Sequence, residues 1–416
     1  MITTMNTLRR TFMNTIVKML CVCVLAGACI GVYAKSGAVQ EVGVGTRAFS
    51  MANNYVAISQ DQSAVYWNPG ALAFLPVREF QISADILSNH TQSDFEGQQA
   101  SSNMQRLRIP SIGFMTAVPT SQGGLTFAVA FQSPYTFDYN RNYNISYPDQ
   151  NSNSISSQRN IRTYGNLNSY TAAMGVQVAP GLGLGVAVSL VAGTEKYSDL
   201  FTSTYNDTAA TSEDNSSTAS YIGYDARIGL MYEFEKIYKV GARLVFPSTI
   251  NFDDKYTGGT NKGLLQSSFS GALGASASYP FMTVSSELRL RAPYDIIYPD
   301  QDIPETSDAS RLNVGAGIGF EVPFGTSGTF FRCGYSFDQY DAYTFAKKDD
   351  TTWHWDNEGI TTTKDRQLIT GGFGYTSKSF SIEAGYGMQF WKLNNNGTLS
   401  EEHDFSRFSL SMSFRY

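Results

Sequence analysis

The stretch FSLSMSFRY, from Phe408 to Tyr416, decides the fold. Large apolar side chains stand at every second position and alternate with serines and one arginine. A period of two is typical of a β-strand with one apolar and one polar face. In a transmembrane barrel the apolar face contacts lipid and the polar face lines the lumen. The segment therefore predicts a membrane-spanning strand at the end of the chain. Its aromatic last residue resembles the terminal signature of bacterial outer-membrane barrels, which implies the barrel-assembly machinery as a partner.

The same alternation recurs upstream and predicts an all-β fold, a transmembrane antiparallel barrel of about 14 strands. An even number agrees with single-chain bacterial barrels. The predicted strands are 80–88, 106–118, 124–135, 164–178, 183–197, 219–234, 238–252, 265–279, 282–296, 309–322, 328–343, 364–376, 379–393 and 404–416.

The connections between these strands alternate in length. Longer polar segments such as 89–105 and 136–163 alternate with short turns such as 179–181. Bacterial barrels have long external loops and short periplasmic turns, so both chain ends are predicted to be periplasmic. All three histidines (His90, His354 and His403) fall in predicted external loops. Tyrosines near strand ends, among them Tyr164 and Tyr221, are predicted to anchor the barrel at the lipid head groups.

Residues 1–34 are predicted to be a signal peptide. Basic residues precede an apolar run at 19–32, and Ala34 offers a small-residue cleavage site. In an alternative interpretation Cys29 is lipidated. Cleavage would leave Cys333 as the only cysteine, which excludes an internal disulfide. These features predict export, with a bacterial outer membrane as the destination and membrane lipid as a partner.

Charge and motifs exclude several functions. Without the signal, 27 of the 30 basic residues remain against 36 acidic ones, a net charge of −9. An acidic chain lacks the basic surface that nucleic acid requires, so no nucleic acid is expected as a partner. The sequence has no phosphate-binding loop, paired metal ligands or dinucleotide motif in a suitable context. We therefore expect no cofactor and no enzymatic activity.

The predicted barrel spans residues 79–416. Residues 35–78 precede its first strand. They lack steady alternation and contain a helix-like stretch at 48–58 and the run Tyr66-Trp67-Asn68-Pro69-Gly70. A segment held at one end of a barrel folds most simply inside it. We predict a plug.

Within this segment, residues 45–48, 51–54 and 57–73 resemble the N-terminal hatch of the FadL-like long-chain fatty acid transporters. The resemblance implies a hatch that plugs the barrel, an inward kink in the third strand that opens a lateral gap, and passive uptake of long-chain fatty acids or similar hydrophobic molecules. The family's Asn-Pro pair corresponds to Asn68 and Pro69. Gly70 replaces the usual alanine, which predicts a minor loosening.

Two regions depart from that pattern. Proline removes a ladder donor, but Pro134 lies near the outer end of the third predicted strand and does not by itself establish the kink there. The segments 198–218, rich in Ser, Thr, Asn and Asp, and 253–264, which is short, do not predict the apolar capture groove that the family builds from external loops.

If the apolar face of each strand looks outward, arginines outnumber acids in the lumen. One interpretation is a salt-bridge network that holds the plug, and the other is an electropositive path for carboxylates. The candidate ligand path comprises Trp67, Arg106, Arg108, Arg289 and Arg291. The inward set includes Arg106, Arg108, Arg227, Arg243, Arg289, Arg291, Arg332 and Arg415 against Asp85, Asp225, Glu287 and Glu383.

The sequence therefore predicts an outer-membrane channel for hydrophobic molecules. Two alternatives stay open: a non-transporting barrel that binds or shuttles for a secretion machine, and a general porin. A plug disfavours the porin, because it would block free aqueous flow.

Overall fold

The computed structural model of the chain describes residues 40–148, 154–205, 209–256, 258–267, 269–291, 294–297, 313–339, 344–347, 353–356, 360–395 and 399–416. The predicted signal peptide, its cleavage site and Cys29 lie outside these residues.

The N-terminal segment, residues 40–78, has little regular structure. It contains the short strand β1 (Gln40–Glu41), the helices α1 (Thr46–Ser50) and α2 (Ala64–Trp67), and a 3-10 helix (Pro69–Phe74). The Asn68 side chain accepts a hydrogen bond of 3.0 Å from the Gly70 backbone N–H and so caps this last helix. Pro69 suits the first helical position because its φ is fixed and no N–H is left unpaired.

The remaining elements are strands. They are β2 (Glu79–Phe95), β3 (Gln98–Val118), β4 (Leu125–Thr136), β5 (Tyr139–Pro148), β6 (Ser154–Ala179), β7 (Leu182–Tyr205), β8 (Ala209–Phe234), β9 (Tyr238–Val245), β10 (Ser248–Tyr256), β11 (Gly259–Ser267), β12 (Ser270–Tyr279), β13 (Met282–Arg291), β14 (Tyr294–Ile297), β15 (Asn313–Phe324), β16 (Thr329–Asp338), β17 (Thr344–Lys347), β18 (Trp353–Asp356), β19 (Ile360–Thr376), β20 (Phe380–Asn395) and β21 (Leu399–Arg415).

These strands form a closed antiparallel barrel, because β2 pairs with β3 on one side and with β21 on the other. Four barrel strands are interrupted. β4 and β5 both pair with β6, and β9 and β10 both pair with β8. β11 and β12 are likewise two parts of one strand, because they pair with β10 and β9 on one side. On the other side they pair with β14 and β13, which are the two parts of the next strand. Counting each interrupted strand once gives fourteen, which confirms the prediction. β17 and β18 form a separate hairpin.

The alternation of the C-terminal strand has the predicted consequence. Phe408, Leu410 and Met412 are 38–44% exposed on the outer wall, whereas Ser409 and Ser411 are at most 2% exposed. The apolar face therefore lies outward and the serine face lines the lumen. Among the described residues, no helix is long and apolar enough to cross a membrane.

The strands extend farther than predicted at the long-loop end. The predicted loop 89–105 is the paired outer part of β2 and β3, joined by a turn at Glu96 and Gly97. His90 and His403 therefore lie in strands, and their placement in loops was wrong. His354 lies in the β17–β18 hairpin. The pattern failed there because strands beyond the bilayer need no lipid-facing apolar residues, so the period-two signal fades.

The N-terminal segment packs against the inner faces of the strands. Most of residues 42–75 are buried, including Trp67, Leu72 and Asn68 at 0% exposure. The 3-10 helix contacts β6, β7 and β8, and α1 contacts β19 and β20 on the other side of the barrel. The segment thus spans the lumen between opposite walls.

Candidate ligand path

Inward-facing glycines let the N-terminal segment approach the barrel wall. A Cβ atom at Gly185 would overlap the carbonyl group of Pro69, and one at Gly229 would lie 2.7 Å from the Gly70 nitrogen. On the opposite wall, Gly319 would place a Cβ 2.8 Å from Met51. Contacts under 3.0 Å leave no room for a side chain. The glycines are therefore where segment and barrel meet backbone to backbone.

The Asn-Pro-Gly turn is locked into this contact. The Asn68 Nδ2 donates to the carbonyl oxygens of Val56 at 2.8 Å and Leu230 at 2.9 Å. Leu230 belongs to β8, so Asn68 ties the segment to the wall. A Cβ at Gly70 would lie 2.7 Å from the Gly229 oxygen. The predicted minor loosening at Gly70 is therefore wrong, since alanine would not fit.

Trp67 lies in the core of the segment. Its Nε1 donates to the Val44 carbonyl at 2.8 Å, and its ring packs edge-on against Tyr66 with centroids 5.0 Å apart. At 0% exposure its side chain lines no open space. The arginine that lies over its ring is Arg243, at 5.6 Å from the ring centroid, which is not one of the four arginines with which the sequence grouped it.

Arg289 and Arg291 hold the N-terminal segment. Arg289 contacts the Asp338 carboxylate at 3.2 Å and donates to the Asn53 carbonyl at 3.4 Å. Arg291 contacts Glu41 at 2.9 Å and Asp338 at 3.2 Å. Both guanidinium groups have carboxylate partners, which favours the salt-bridge network for this pair.

The other inward arginines on this side also have buried partners, which are carboxylates for three of them and a backbone carbonyl for Arg243. The sequence count of four inward acids was too low, because Glu79, Asp138, Glu321, Asp338 and Glu401 are also buried. The pairs are Arg227 with Asp225, Arg332 with Glu321 and Glu383, Arg415 with Glu79, and Arg243 with the Tyr66 carbonyl.

Glu41 is the centre of one such network. Tyr66 donates its hydroxyl to the Glu41 carboxylate at 2.5 Å. Burial opposes the charged form, but Arg291 and Arg243 outweigh it and hold the pKa of Glu41 below its ordinary value. Glu41 is therefore a charged anchor between β1 and the barrel.

Arg106 and Arg108 lie elsewhere, at a break between β3 and β4. Arg106 contacts Asp138 at 2.5 Å. Arg108 contacts Asp85 and donates to the Ser133 carbonyl, both at 3.0 Å. The Arg106 side chain is 28% exposed, whereas that of Arg108 is 3% exposed. These two arginines occupy a part of the wall that backbone pairing does not close.

The break is caused by an inward turn of the third barrel strand. Pairing between β3 and β4 ends at Ser111 with Gln132, and the register of β4 against β6 shifts between Gln132 and Tyr135. The Pro134 carbonyl accepts from the Val42 N–H at 2.8 Å, so the strand turns to the N-terminal segment. Proline lacks an N–H for the ladder and suits this position. Pro134 therefore lies at the kink of the third strand, which its position in the sequence alone did not establish.

An apolar cluster lines the lumen beside this kink. Phe137, just after the kink, stacks on Tyr221 with ring centroids 5.1 Å apart, and Tyr221 contacts Phe252 at 5.3 Å. We call this group the outer apolar cluster; it comprises Phe137, Leu167, Val191, Ala219, Tyr221, Ile250, Phe252 and Leu265.

In this outer part the polarity of the strands is inverted. Along β10, Ile250 and Phe252 are buried, whereas Asn251 and Asp253 are exposed. Tyr221 likewise faces the lumen at 9% exposure, so its predicted role as a lipid anchor was wrong. The sequence carries the missed signal: alternating polar residues such as Asn251 and Asp253 are disfavoured in hydrocarbon, so a strand that carries them outward lies beyond the bilayer, where its apolar face is free to turn to the lumen.

At the short-turn end the space beside the segment is charged. A cavity of about 250 Å³ is lined by Arg47, Asp61, Glu321, Arg332, Glu383 and Arg415. Charged walls disfavour an apolar molecule, because their water would have to be displaced without replacement. The unfilled space at this end is thus lined by charge, whereas its apolar residues, among them Leu72 and Met115, are packed in contact with the N-terminal segment. The described residues contain no group of side chains suited to hold a metal ion.

Comparison with known proteins agrees with this architecture. Residues 27–302 match the family described as outer membrane protein transport protein (OMPP1/FadL/TodX). No curated protein sequence matches the chain. Among solved structures, a Pseudomonas aeruginosa FadL homologue has a TM-score of 0.58 at 13% identity, covering 92% of this chain and 99% of its own. The P. putida toluene transporter TodX has a TM-score of 0.56 at 13% identity, with 91% and 99% covered.

The fold and family define an outer-membrane protein of the class that transports hydrophobic compounds. The chain belongs to the OMPP1/FadL/TodX family, which confirms the resemblance seen at residues 45–73, and its place is the bacterial outer membrane.

Proposed function

We propose that this chain is a passive channel for long-chain fatty acids or similar hydrophobic molecules. The observation that carries the proposal is the outer apolar cluster, which faces the lumen directly beside the kink at Pro134. Apolar ligands gain about 25 cal/mol for each Å² removed from water, so such a lining binds them without a charged partner. Passive movement of a ligand requires no catalytic group, and we propose that the chain has no enzymatic activity.

The route runs from outside to the outer apolar cluster and leaves sideways through the break between β3 and β4. Charge supports a lateral exit, because the cavity at the other end is lined by ion pairs. The outer wall at the break is apolar, with Leu107 73% and Ile109 50% exposed. A hydrophobic molecule that leaves there enters lipid and never meets water.

We also propose that residues 35–78 act as the hatch of this channel, with Asn68 as its clasp. The glycine contacts and the arginine network support this role, since both fix the segment in the lumen. A general porin needs an open aqueous lumen, which a fixed segment denies it.

The test is ligand binding to a variant of the cluster. Ile250→Asn places a polar amide among apolar side chains and should weaken binding of palmitate or hexadecane about tenfold. Asn251→Ala, one residue away on the outer face, is the matched control and should bind as wild type. As a first measurement, mass spectrometry of the lipid released from the purified wild-type barrel shows whether it carries a hydrophobic molecule. A wild type that conducts ions freely and carries no hydrophobic molecule would contradict the proposal.

A further inference from the structure

The outer face of β8 shows where the hydrocarbon layer ends on one side of the barrel. From Tyr232 to Ile222 its outward side chains are apolar or aromatic, a span of about 25 Å at the usual strand tilt, which equals the apolar band of such barrels. The next outward residues are Ser220 and Thr218, which are polar. Thr218 therefore lies about 10 Å beyond the hydrocarbon layer, where a long side chain reaches the lipid head groups.

Four exposed basic side chains surround the level of Thr218 on this outer face. Strand pairing places Lys196 of β7 and Lys255 of β10 on opposite sides of Thr218. Arg162 lies beside Lys196 on β6, and Lys262 lies beside Lys255 on β11. All four share the outward phase of their strands and are exposed. We call these four residues the basic patch.

The basic patch is divided into two pairs of cations. The Tyr164 ring centroid lies 5.6 Å from the Arg162 guanidinium carbon and 5.9 Å from the Lys196 Nζ. The face of an aromatic ring attracts cations, which offsets part of the repulsion between these two. Lys255 and Lys262 are diagonal neighbours of the β10–β11 ladder. Two strand spacings, about 10 Å, separate the Cα atoms of Lys196 and Lys255.

The charges of the basic patch are not neutralised by neighbouring acids. Within the described part of the chain, none of its four cations forms an ion pair. Asp253, the strand partner of Lys262, is an outward acid beside them, so cations remain in excess. The opposite wall differs at the corresponding level of β21. There Lys392 is paired with Glu402 at 2.6 Å, and Asp404 is a further exposed acid. In an acidic chain, the excess positive charge at head-group level thus lies on one side of the barrel.

We propose that the basic patch binds the phosphorylated head of a glycolipid in the outer leaflet. The long-loop end of a bacterial barrel faces outside, so the patch lies in that leaflet. Clusters of Lys and Arg at head-group level attract anionic lipids, and both side chains form charge-assisted hydrogen bonds with phosphate.

The layout of this face suits a glycolipid with phosphates at both ends of a disaccharide. One phosphate contacts Arg162 and Lys196, and the other contacts Lys255 and Lys262. The short side chains of Thr218 and Ser220 leave a polar floor for the sugars between the two pairs. Acyl chains then run along Ile222 and Tyr224, which are 56% and 70% exposed in the apolar band. The site lies outside the barrel and is separate from the ligand path in the lumen.

The experiment measures lipid binding to the barrel refolded in detergent without native lipid. Native mass spectrometry compares lipid A that carries two, one or no phosphates. Wild type should bind the diphosphorylated form at least about tenfold more tightly than the form without phosphate, because each basic side chain near an anionic head adds to the attraction. Arg162→Gln with Lys196→Gln, and separately Lys255→Gln with Lys262→Gln, should each lower affinity for the diphosphorylated form about tenfold.

Two controls isolate the basic patch. Lys392→Gln removes an exposed cation from the opposite wall and should leave affinity within about twofold, since Glu402 already neutralises it. Arg162→Lys with Lys196→Arg keeps both charges and should restore most of the binding. Heat-modifiable mobility in gels shows that each variant is folded.

The outcomes decide between a site and general attraction. Equal wild-type affinity for the three forms of lipid A overturns the proposal. An equal loss in Lys392→Gln and in the patch variants also overturns it, because charge at any position would then suffice. Phosphatidylglycerol bound as tightly as diphosphorylated lipid A would overturn the assignment to a glycolipid.

Discussion

The two ends of the lumen are built in opposite ways. At the short-turn end, glycines bring the N-terminal segment against the wall, and ion pairs such as Arg332 with Glu321 surround it. At the long-loop end the third strand leaves its neighbour at Gln132, and stacked aromatic rings line the lumen in addition to ion pairs such as Arg159 with Asp199. Backbone contact and paired charge give a fixed structure, because neither tolerates displacement. Apolar contacts are non-directional and adapt to a guest. The difference indicates a closed end and a binding end.

The strongest test of the closed end is Gly185→Ala. The added methyl group would overlap the Pro69 carbonyl, and backbone on both sides prevents relief, so we expect a cost of about 3 kcal/mol to seating of the segment. Single-channel recordings should show ion leakage that wild type lacks. Gly371→Ala is the control, since the nearest atom to its Cβ, the Arg332 oxygen, lies at 3.8 Å. Equal conductance of the two variants would remove the claim that glycine contacts seal the barrel.

Asn68→Ala should have the next largest effect. It leaves the Val56 and Leu230 carbonyls without their donor in a buried site, at a cost of about 2 kcal/mol. We expect lower uptake of hydrophobic ligand, while the barrel keeps its heat-modifiable mobility in gels. Asn68→Asp retains the acceptor for Gly70 and loses both donors, so it should behave like alanine. Normal uptake at equal surface level would show that the contact is dispensable.

The smallest expected effect concerns ligand charge at the two ends. Arg106 lies at the break and is partly exposed, so Arg106→Gln should reduce the preference for palmitate over its methyl ester by about 1.5 kcal/mol. Arg289→Gln and Arg291→Gln should loosen the segment and leave that preference unchanged, because their partners are Asp338 and Glu41. Equal wild-type affinity for acid and ester would eliminate any selection by charge.

Sequence reasoning succeeded where lipid imposes a pattern. Residues 408–416 alternate because one face meets hydrocarbon, and the same constraint gave the strand count. It failed where that constraint ends. The hydrophobic pattern of residues 89–105 does not distinguish a loop from a β-hairpin that extends beyond the bilayer into water. The sequence also could not show that Arg289 and Arg291 bind the segment, since their partners lie far along the chain.

The pairing of β2 with β21 has a consequence for assembly. It joins strands that lie more than 300 residues apart in the sequence, and contacts of such separation form late because the intervening chain must first be ordered. The N-terminal segment precedes β2 yet ends enclosed by all the strands that follow it. If the segment lies on the concave side of the open sheet when its first and last strands meet, the pairing that closes the ring also encloses the segment.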